Sequence, residues 1–407
     1  MDFLKVTIRR NPKLIKASVK LHQEGIIPPN TIVIDLDTIK DNAYIIKATA
    51  DKYKVKIYFM TKQFGRNPIV SKLLASLGIK DDSEDMEDVK CLKKANIPIG
   101  HVGHLSQIPK NEIRFVLEKV QPEVITVFTV EKAKQIAKVA HELGVVQKLL
   151  IRPVGKGDFF YPNQEGGIPE DSIVEAAKTI NSLPNVKIVG VTSFPCFRFN
   201  FFTRKEEPTP NLYTILRVAS RLEKEAGIRI EQINAPGDNS AKQMEILANY
   251  GVTHAEPGHG FTGTTPWHAL EDLPEKPAWV YVTEVSHIFN DIPYVFGGNF
   301  SSADMCVGIW DYFYHNFMAS ALVGDNPEHI LENTVLARIV TGYFDYYAPL
   351  HVSKDINVKV GDTAIFALRT QAFASRANIA IVSGIQSNKP KLEGIFDRCG
   401  NKLDIKI

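Results

Sequence analysis

The stretch YFMTKQFGRN, Tyr58–Asn67, is the one around which the rest of the chain can be read. A short apolar run, Val55-Lys56-Ile57-Tyr58-Phe59-Met60, passes into Thr61, Lys62, Gln63 and Phe64 and breaks at Gly65-Arg66-Asn67-Pro68. Such a run, bounded by turn residues, reads as a buried strand. A lysine at the C-terminal end of a buried strand is unusual, because lysine is rarely taken out of water unless something pairs with it or uses it. A desolvated amine is the nucleophile that a Schiff-base lysine requires. The ordinary alternative is a strand-end lysine whose stem lies along apolar surface and whose amine reaches water.

Working outward, strand-like and helix-like segments alternate. TIVIDLD (31–37) precedes a helical pattern with Ile39, Ala43, Ile46 and Ala50 on one side. After the strand at 55–60 come PIGHVGHL (98–105), VITVFTV (124–130), KLLIRPV (148–154), VKIVGVTSF (186–194), IRIEQINAP (228–236) and THAEP (253–257), with helical patterns between them. The charged segment KDDSEDMEDVKCLKKAN reads as a helix with an acidic start and a basic end, as the helix dipole favours. Counted from TIVIDLD, about eight strand–helix units precede residue 260, and closure gives a (β/α)8 TIM-like barrel. A doubly wound open sheet is the alternative, but no GxGxxG follows the first strand. From about Trp279 the texture changes to WVYVTEVSHIF, LARIVTGYF, INVKVGDTAIFAL and IAIVSGI, strands with short turns that predict a mostly antiparallel β domain. The expected organisation is a helical extension over 1–30, the barrel over 31–272 and the β domain over 273–407.

Composition narrows the class. The 407 residues carry a net charge of +2 and no basic stripe, which argues against nucleic acid as partner. No apolar run approaches membrane-spanning length. The basic N-terminus lacks a long apolar core and a small-residue cleavage site, so it reads as a helix and not a signal peptide. The four cysteines form no CxxC, which points to a reducing cytoplasm and away from a zinc or disulfide framework.

In a barrel, working residues sit at the C-terminal ends of strands. That rule selects Lys62, His101 and His104, Arg152, Ser193 and Cys196, Asn234, and Glu256. APGDNSAK (235–242) and EPGHGFTGT (256–264) could present a phosphate site, with Ser240 adding a hydroxyl and His259 a ring donor; the alternative is two ordinary turns. His101 and His104 are three apart, and on a strand that places them on opposite faces, so no metal is expected. Cys196 reads as a small buried residue.

The chain resembles the alanine racemase-like family of pyridoxal phosphate enzymes (fold type III). TIVIDLDTIKDNAYII is similar to that family's opening segment, YFMTKQFGRNP to its strand-end lysine segment, MEDVKCLKKANIPI to its following helix, and VKIVGVTSF to a barrel strand that usually ends in Thr-His-Phe. MTKQFGRNP, VITVFT, FPC, PTPNL, YGVTHAEPGH and VSGI together resemble the YhfX-like subgroup. The resemblance implies pyridoxal 5'-phosphate held by Lys62 as a Schiff base. Arg66, Ser240, Gly258 and His259 would serve the phosphate, and His104, Arg152, Ser193 and Asn234 would line the cofactor. Glu256 would meet the pyridine nitrogen, where alanine racemases carry arginine and the related decarboxylases an EPGR glutamate. The implied activity is amino acid racemisation or epimerisation by a homodimer with shared active sites, Tyr294 being the second acid/base and Phe296 the alternative at that position. Decarboxylase or lyase chemistry, and a non-catalytic cofactor carrier, are the other readings. Asp345 and Phe373 resemble substrate-binding positions of the decarboxylases.

Overall fold

The computed structural model describes residues 2–300, 316–340 and 344–404. Its contacts divide into two compact units, Ile46–Thr61 with Ser71–Gly258, and Met1–Ile45 with Lys62–Val70 and His259–Ile407.

The first unit contains a closed barrel of eight parallel strands: Lys56–Phe59, Lys80–Ser83, Ile99–Val102, Val124–Val127, Gln147–Ile151, Val186–Thr192, Gln232–Asn234 and His254–Ala255. Each pairs with the next in chain order, and His254–Ala255 returns to pair with Lys56–Ile57. Closure requires a close approach at Gly190, where a Cβ would lie 1.9 Å from the carbonyl oxygen of Gln232. The helices follow local rules. Val130–Leu143 begins at Thr129, whose hydroxyl accepts from the Lys132 amide, and ends at Gly144 in the left-handed region. Its face of Ala133, Ile136, Ala137 and Ala140 is buried.

The number of barrel strands is as expected, but one member is different. TIVID (Thr31–Asp35) is not a barrel strand. It is fully buried in the second unit, paired antiparallel to Trp279–Phe289 and parallel to Asn378–Ser383. Its place in the barrel is taken by KDDS, the start of the segment expected to be helical throughout. The helix begins only at Met86, capped by Asp85, with Glu87 and Asp88 in its first turn and Lys93 and Lys94 in its last. A strand of Lys-Asp-Asp-Ser reads as solvated, yet Asp81, Asp82 and Ser83 are completely buried.

The second unit is built on a nine-stranded sheet ordered Ile292–Phe296, Tyr347–His351, Thr334–Val340, Asn316–Gly324, Thr363–Phe366, Trp279–Phe289, Thr31–Asp35, Asn378–Ser383 and Lys391–Phe396. Ile292–Phe296 also pairs with Trp279–Phe289, which closes the first six strands on themselves. All pairings but the one between Thr31–Asp35 and Asn378–Ser383 are antiparallel. Part of the expected strand LARIVTGYF, residues 341–343, lies outside the described residues. The N-terminal segment is not a separate extension. Helices Phe3–Arg10 and Pro12–Gln23 bury Leu4, Leu14, Ile15 and Val19 in one core with Val33, Val280, Ile365 and Ala380. Burying each of these leucine, isoleucine and valine side chains contributes about 1.5–3 kcal/mol.

Candidate active site

In the barrel unit, the C-terminal ends of five strands deliver a buried polar cluster centred on Glu256. Its Oε1 accepts from His101 Nδ1 at 2.9 Å and from Asn234 Nδ2. Its backbone N–H donates to Asn239 Oδ1 at 2.8 Å. His101 Nε2 lies 2.6 Å from Thr126 Oγ1, and Asp82 Oδ1 lies 3.2 Å from His101 Nδ1. His104 Nε2 is 3.5 Å from Glu256 Oε2, and the edge of the His104 ring meets Phe194 at 5.8 Å.

This arrangement corrects the placement of the histidine pair. The strand ends at Val102, and Gly103, at φ +87, turns the chain so that His104 returns beside His101 with ring centroids 5.4 Å apart. His101, His104 and Glu256 thereby bring three potential ligand atoms within 4.8 Å of one another, a convergence that the alternation of strand faces excluded.

The charges in the cluster are unequally held. Burial pushes Glu256 up, but the nearby charge of His104, the hydrogen bond and charge of His101, and a hydrogen bond with Asp82 outweigh it and hold the carboxylate well below its ordinary range. Asp82 moves the other way, raised by burial and then by the charge and hydrogen bond of Glu256. Asp81 is raised by burial and then by Asp88. Glu256 is therefore the ionised member and Asp82 the protonated one.

Several buried polar groups in this unit have atoms with no hydrogen-bond acceptor or donor, and three of them suit a charged or polar ligand. Glu256 Oε2 is one, Ser240 Oγ another, and Arg152 Nε and Nη1 the third. Ser240 is the N-cap of Ala241–Asn249. Arg152 follows the Gln147–Ile151 strand, donates Nη2 to the Gln164 carbonyl at 3.0 Å and lies between the rings of Phe128 and Phe160 at 4.8 and 5.2 Å. Burial pushes its guanidinium down to about 10. Ser193 accepts from Asn211 Nδ2 at 3.1 Å, and the buried Cys196 thiol donates to the Ser193 carbonyl. Buried orphan groups of this kind are uncommon in folded proteins and point to a ligand. An acceptor carboxylate, a hydroxyl at a helix start and a cationic donor match a protonated ring nitrogen and anionic substituents, so the donor set fits pyridoxal phosphate.

In the barrel unit the Thr61 hydroxyl donates to Asp88 Oδ1 at 2.7 Å, and the second unit takes up the chain again at Lys62. Lys62 is half-buried and opens the turn Lys62–Phe64, which packs against Ala372–Ala374. Arg66 is buried, with its guanidinium 5.3 Å from the Phe373 ring. His259 Nδ1 lies 3.0 Å from Thr264 Oγ1 and Nε2 lies 3.4 Å from Gln371 Nε2. Burial, then the charges of Arg369 and Lys62, hold His259 well below its ordinary value, so the ring is neutral in a cationic surrounding.

Three expected residues lie in the β strands and the loops beside them. Tyr294 stacks on His287 at 4.9 Å and 5°, and Phe296 packs on Tyr347 at 5.8 Å. Both Asp345 oxygens are engaged within its own unit, by Arg376 at 2.7 Å and by the amides of Gly298 and Phe300. Asp82, Thr126, Asn239 and Arg369 were not legible as site residues. Their signal is positional, since Asp82 and Thr126 belong to strands flanking His101.

Comparison with known proteins gives the family and the fold. Residues 34–266 match the family model of the alanine racemase N-terminal domain, and residues 280–392 that of the YhfX-like C-terminal domain. The uncharacterized protein YhfX of Escherichia coli (strain K12) is 36% identical over 402 residues, covering 98% of this chain and 99% of that protein. Among solved structures, D-threonine aldolase from Filomicrobium marinum is similar at a TM-score of 0.67 and 13% identity, over 92% of this chain and 95% of that one. Alanine racemase from Clostridium difficile 630 gives 0.63 and 17%, over 91% and 98%. Diaminopimelate decarboxylase from Helicobacter pylori gives 0.62 and 16%, over 89% and 92%. At these identities the solved structures establish the fold, a parallel (β/α)8 barrel with a β domain. Among the described residues no helix is long and apolar enough to cross a membrane.

Proposed function

The chain belongs to the alanine racemase-like family of fold type III enzymes, in its YhfX-like branch, and from that premise we propose that it is a pyridoxal phosphate-dependent amino acid racemase or epimerase. The observation that carries the reading is the buried Glu256, whose Oε2 receives no hydrogen bond and has the His104 ring 3.5 Å away. When bound, the cofactor supplies a ring that withdraws electrons from the α-carbon of an amino acid.

In this reading Lys62 is the covalent anchor, and Glu256 holds a proton at the ring nitrogen. An arginine there cannot accept that proton; a carboxylate stabilises it and strengthens the ring as an electron sink. Ser240, Gly258, His259 and Arg66 hold the phosphate, Arg66 with the planar donor fork that suits it. His104, Ser193 and Asn234 line the ring, and Arg152 receives an anionic group of cofactor or substrate. Lys62 Nζ takes and returns the α-proton on one face. Tyr294 of the partner subunit serves the other face in a homodimer, the arrangement that racemisation needs, because one base tends to return the proton where it found it. A reducing, cytoplasmic setting belongs to the same reading.

Decarboxylase or lyase chemistry is a second reading, favoured by the charge on Glu256, since a stronger sink widens the accessible reactions. The occupied oxygens of Asp345 weigh against the version of it that recognises a distal amine. The test is the visible spectrum of protein incubated with pyridoxal phosphate, for wild type and Lys62→Ala. A band in the wild type that the variant lacks is expected; identical spectra would refute the assignment. Incubation in deuterated water with a panel of D- and L-amino acids then separates the readings. Deuterium at the α-carbon with both enantiomers supports racemisation, whereas release of carbon dioxide or an aldehyde with no enantiomer formed supports the second reading.

A further inference from the structure

The cluster contains a device for holding one charge in place. Glu256 is faced from every side by groups that respond to protons. His101 and His104 come from the strand Ile99–Val102 and its turn, Asp82 and Asp81 from Lys80–Ser83, Tyr58 from Lys56–Phe59, Cys196 from beyond Val186–Thr192, and His254 from its own strand. Burial raises Tyr58, Asp81, Asp82 and Cys196; the charge of Glu256 comes next for Asp82 and Cys196, whereas Glu123 precedes it for Tyr58 and Asp88 for Asp81, and each is thereby favoured in its protonated form.

His101 differs from all of these. Its Nδ1 faces two carboxyl oxygens, Glu256 Oε1 at 2.9 Å and Asp82 Oδ1 at 3.2 Å. An ionised carboxylate can only accept, so Nδ1 carries the hydrogen. Its Nε2 faces Thr126 Oγ1 at 2.6 Å. A threonine hydroxyl can donate to a bare nitrogen or accept from a protonated one. The ring therefore keeps its hydrogen bond to Glu256 whether neutral or cationic, and Thr126 adjusts to either state.

We propose that His101 is a positioning residue which, backed by Thr126, holds the Glu256 carboxylate by its Oε1, so that Oε2, beside His104, is the oxygen left for the ligand. Held this way, Glu256 would offer Oε2 as the acceptor for a protonated ring nitrogen of a bound cofactor. The statement about the ring rests on the proposed cofactor; the statement about Glu256 does not.

Two measurements on the full-length protein separate these layers. In the cofactor-free form, imidazole ¹⁵N spectra of His101, assigned by loss in His101→Gln, should show Nδ1 protonated from about pH 6 to about pH 9. The infrared carboxylate band of Glu256, assigned by loss in Glu256→Gln, should persist to the acid end of that range in wild type and begin to titrate within it in His101→Leu. An unprotonated Nδ1, or a Glu256 band that titrates alike in wild type and His101→Leu, overturns the proposal even if no cofactor binds. In protein loaded with pyridoxal phosphate, the visible band should be independent of pH in wild type and become pH-dependent in His101→Leu, with kcat lowered about tenfold or more and KM changed within about twofold. His101→Gln keeps a neutral donor and should fall between the two; it reads the same effect if His101→Leu fails to fold. Thr126→Val should reproduce the pH dependence with His101 intact. A loaded His101→Leu or His101→Gln with the wild-type spectrum and kcat overturns the proposal while leaving the cofactor assignment standing.

Discussion

Asp345 Oδ1 lies 2.7 Å from Arg376 Nη2, and Asp345 Oδ2 accepts from the backbone amides of Gly298 and Phe300 at 3.0 and 2.9 Å. Asp345 is buried, while half of the Arg376 side chain is exposed. This carboxylate fastens two loops of the β unit, and a distal amine of a basic amino acid would have to displace Arg376 to reach it. Asp345→Asn should therefore leave the ratio of kcat/KM between basic and neutral amino acids unchanged. It should also lower stability by about 1–3 kcal/mol, through lost charged hydrogen bonds to buried amides. Denaturant midpoints and substrate panels check both halves. A loss confined to basic amino acids would return Asp345 to substrate recognition.

Glu256→Gln keeps the shape of the side chain and removes its charge. If Glu256 holds a proton at the ring nitrogen, kcat should fall about 100-fold or more, with the affinity for pyridoxal phosphate changed less than about tenfold. Glu256→Arg should lower decarboxylation, elimination and aldol-type side reactions more than racemisation, read as the ratio of products from one amino acid. Equal losses in all products would mean that the charge does not tune the sink.

Arg152 is a buried cation with two nitrogens lacking acceptors. Such a group costs stability unless a ligand completes it. Arg152→Met fills the space between Phe128 and Phe160 without the charge. It should stabilise the cofactor-free protein by about 1–2 kcal/mol, while weakening the ligand whose anionic group the guanidinium receives by about tenfold or more. The titration that changes, cofactor or amino acid, assigns the group. If neither changes, Arg152 is structural.

Asp82 supplies a pH test. Burial and then Glu256 raise its folded value above the ordinary 3.8. A carboxyl raised on folding contributes most below its unfolded value and loses that contribution as pH rises through the folded one. Asp82→Asn cannot ionise and escapes the loss. Melting temperatures of the cofactor-free wild type and variant should differ little at acid pH and separate in favour of the variant towards neutrality, by about 2 °C or more. A constant difference across pH would mean that Asp82 does not titrate in this range.

Much of this could be read from the chain, and the misreadings have physical causes. The barrel, the change of texture near Trp279 and the strand-end candidates follow from periodicity and from where barrels place their working residues. TIVID reads as a barrel strand because a five-residue strand buried on both faces looks the same in any sheet; its partners Val280 and Ile379 lie about 250 and 350 residues away in the chain. KDDS does not read as a strand because its aspartates are buried against other ionisable groups and not against apolar ones. The residues that tune Glu256 sit on neighbouring strands, and spacing along the chain does not report that adjacency.

Gly103 carries a consequence of handedness. At φ +87 its backbone lies where L-amino acids are rarely found, and a Cβ there would stand 2.7 Å from the Thr126 carbonyl oxygen. The imidazoles at 101 and 104 provide the chemistry, but their meeting depends on the one achiral residue between them. A lineage could keep both histidines and the glutamate and still lose the cluster through a single methyl group that bears no chemistry of its own.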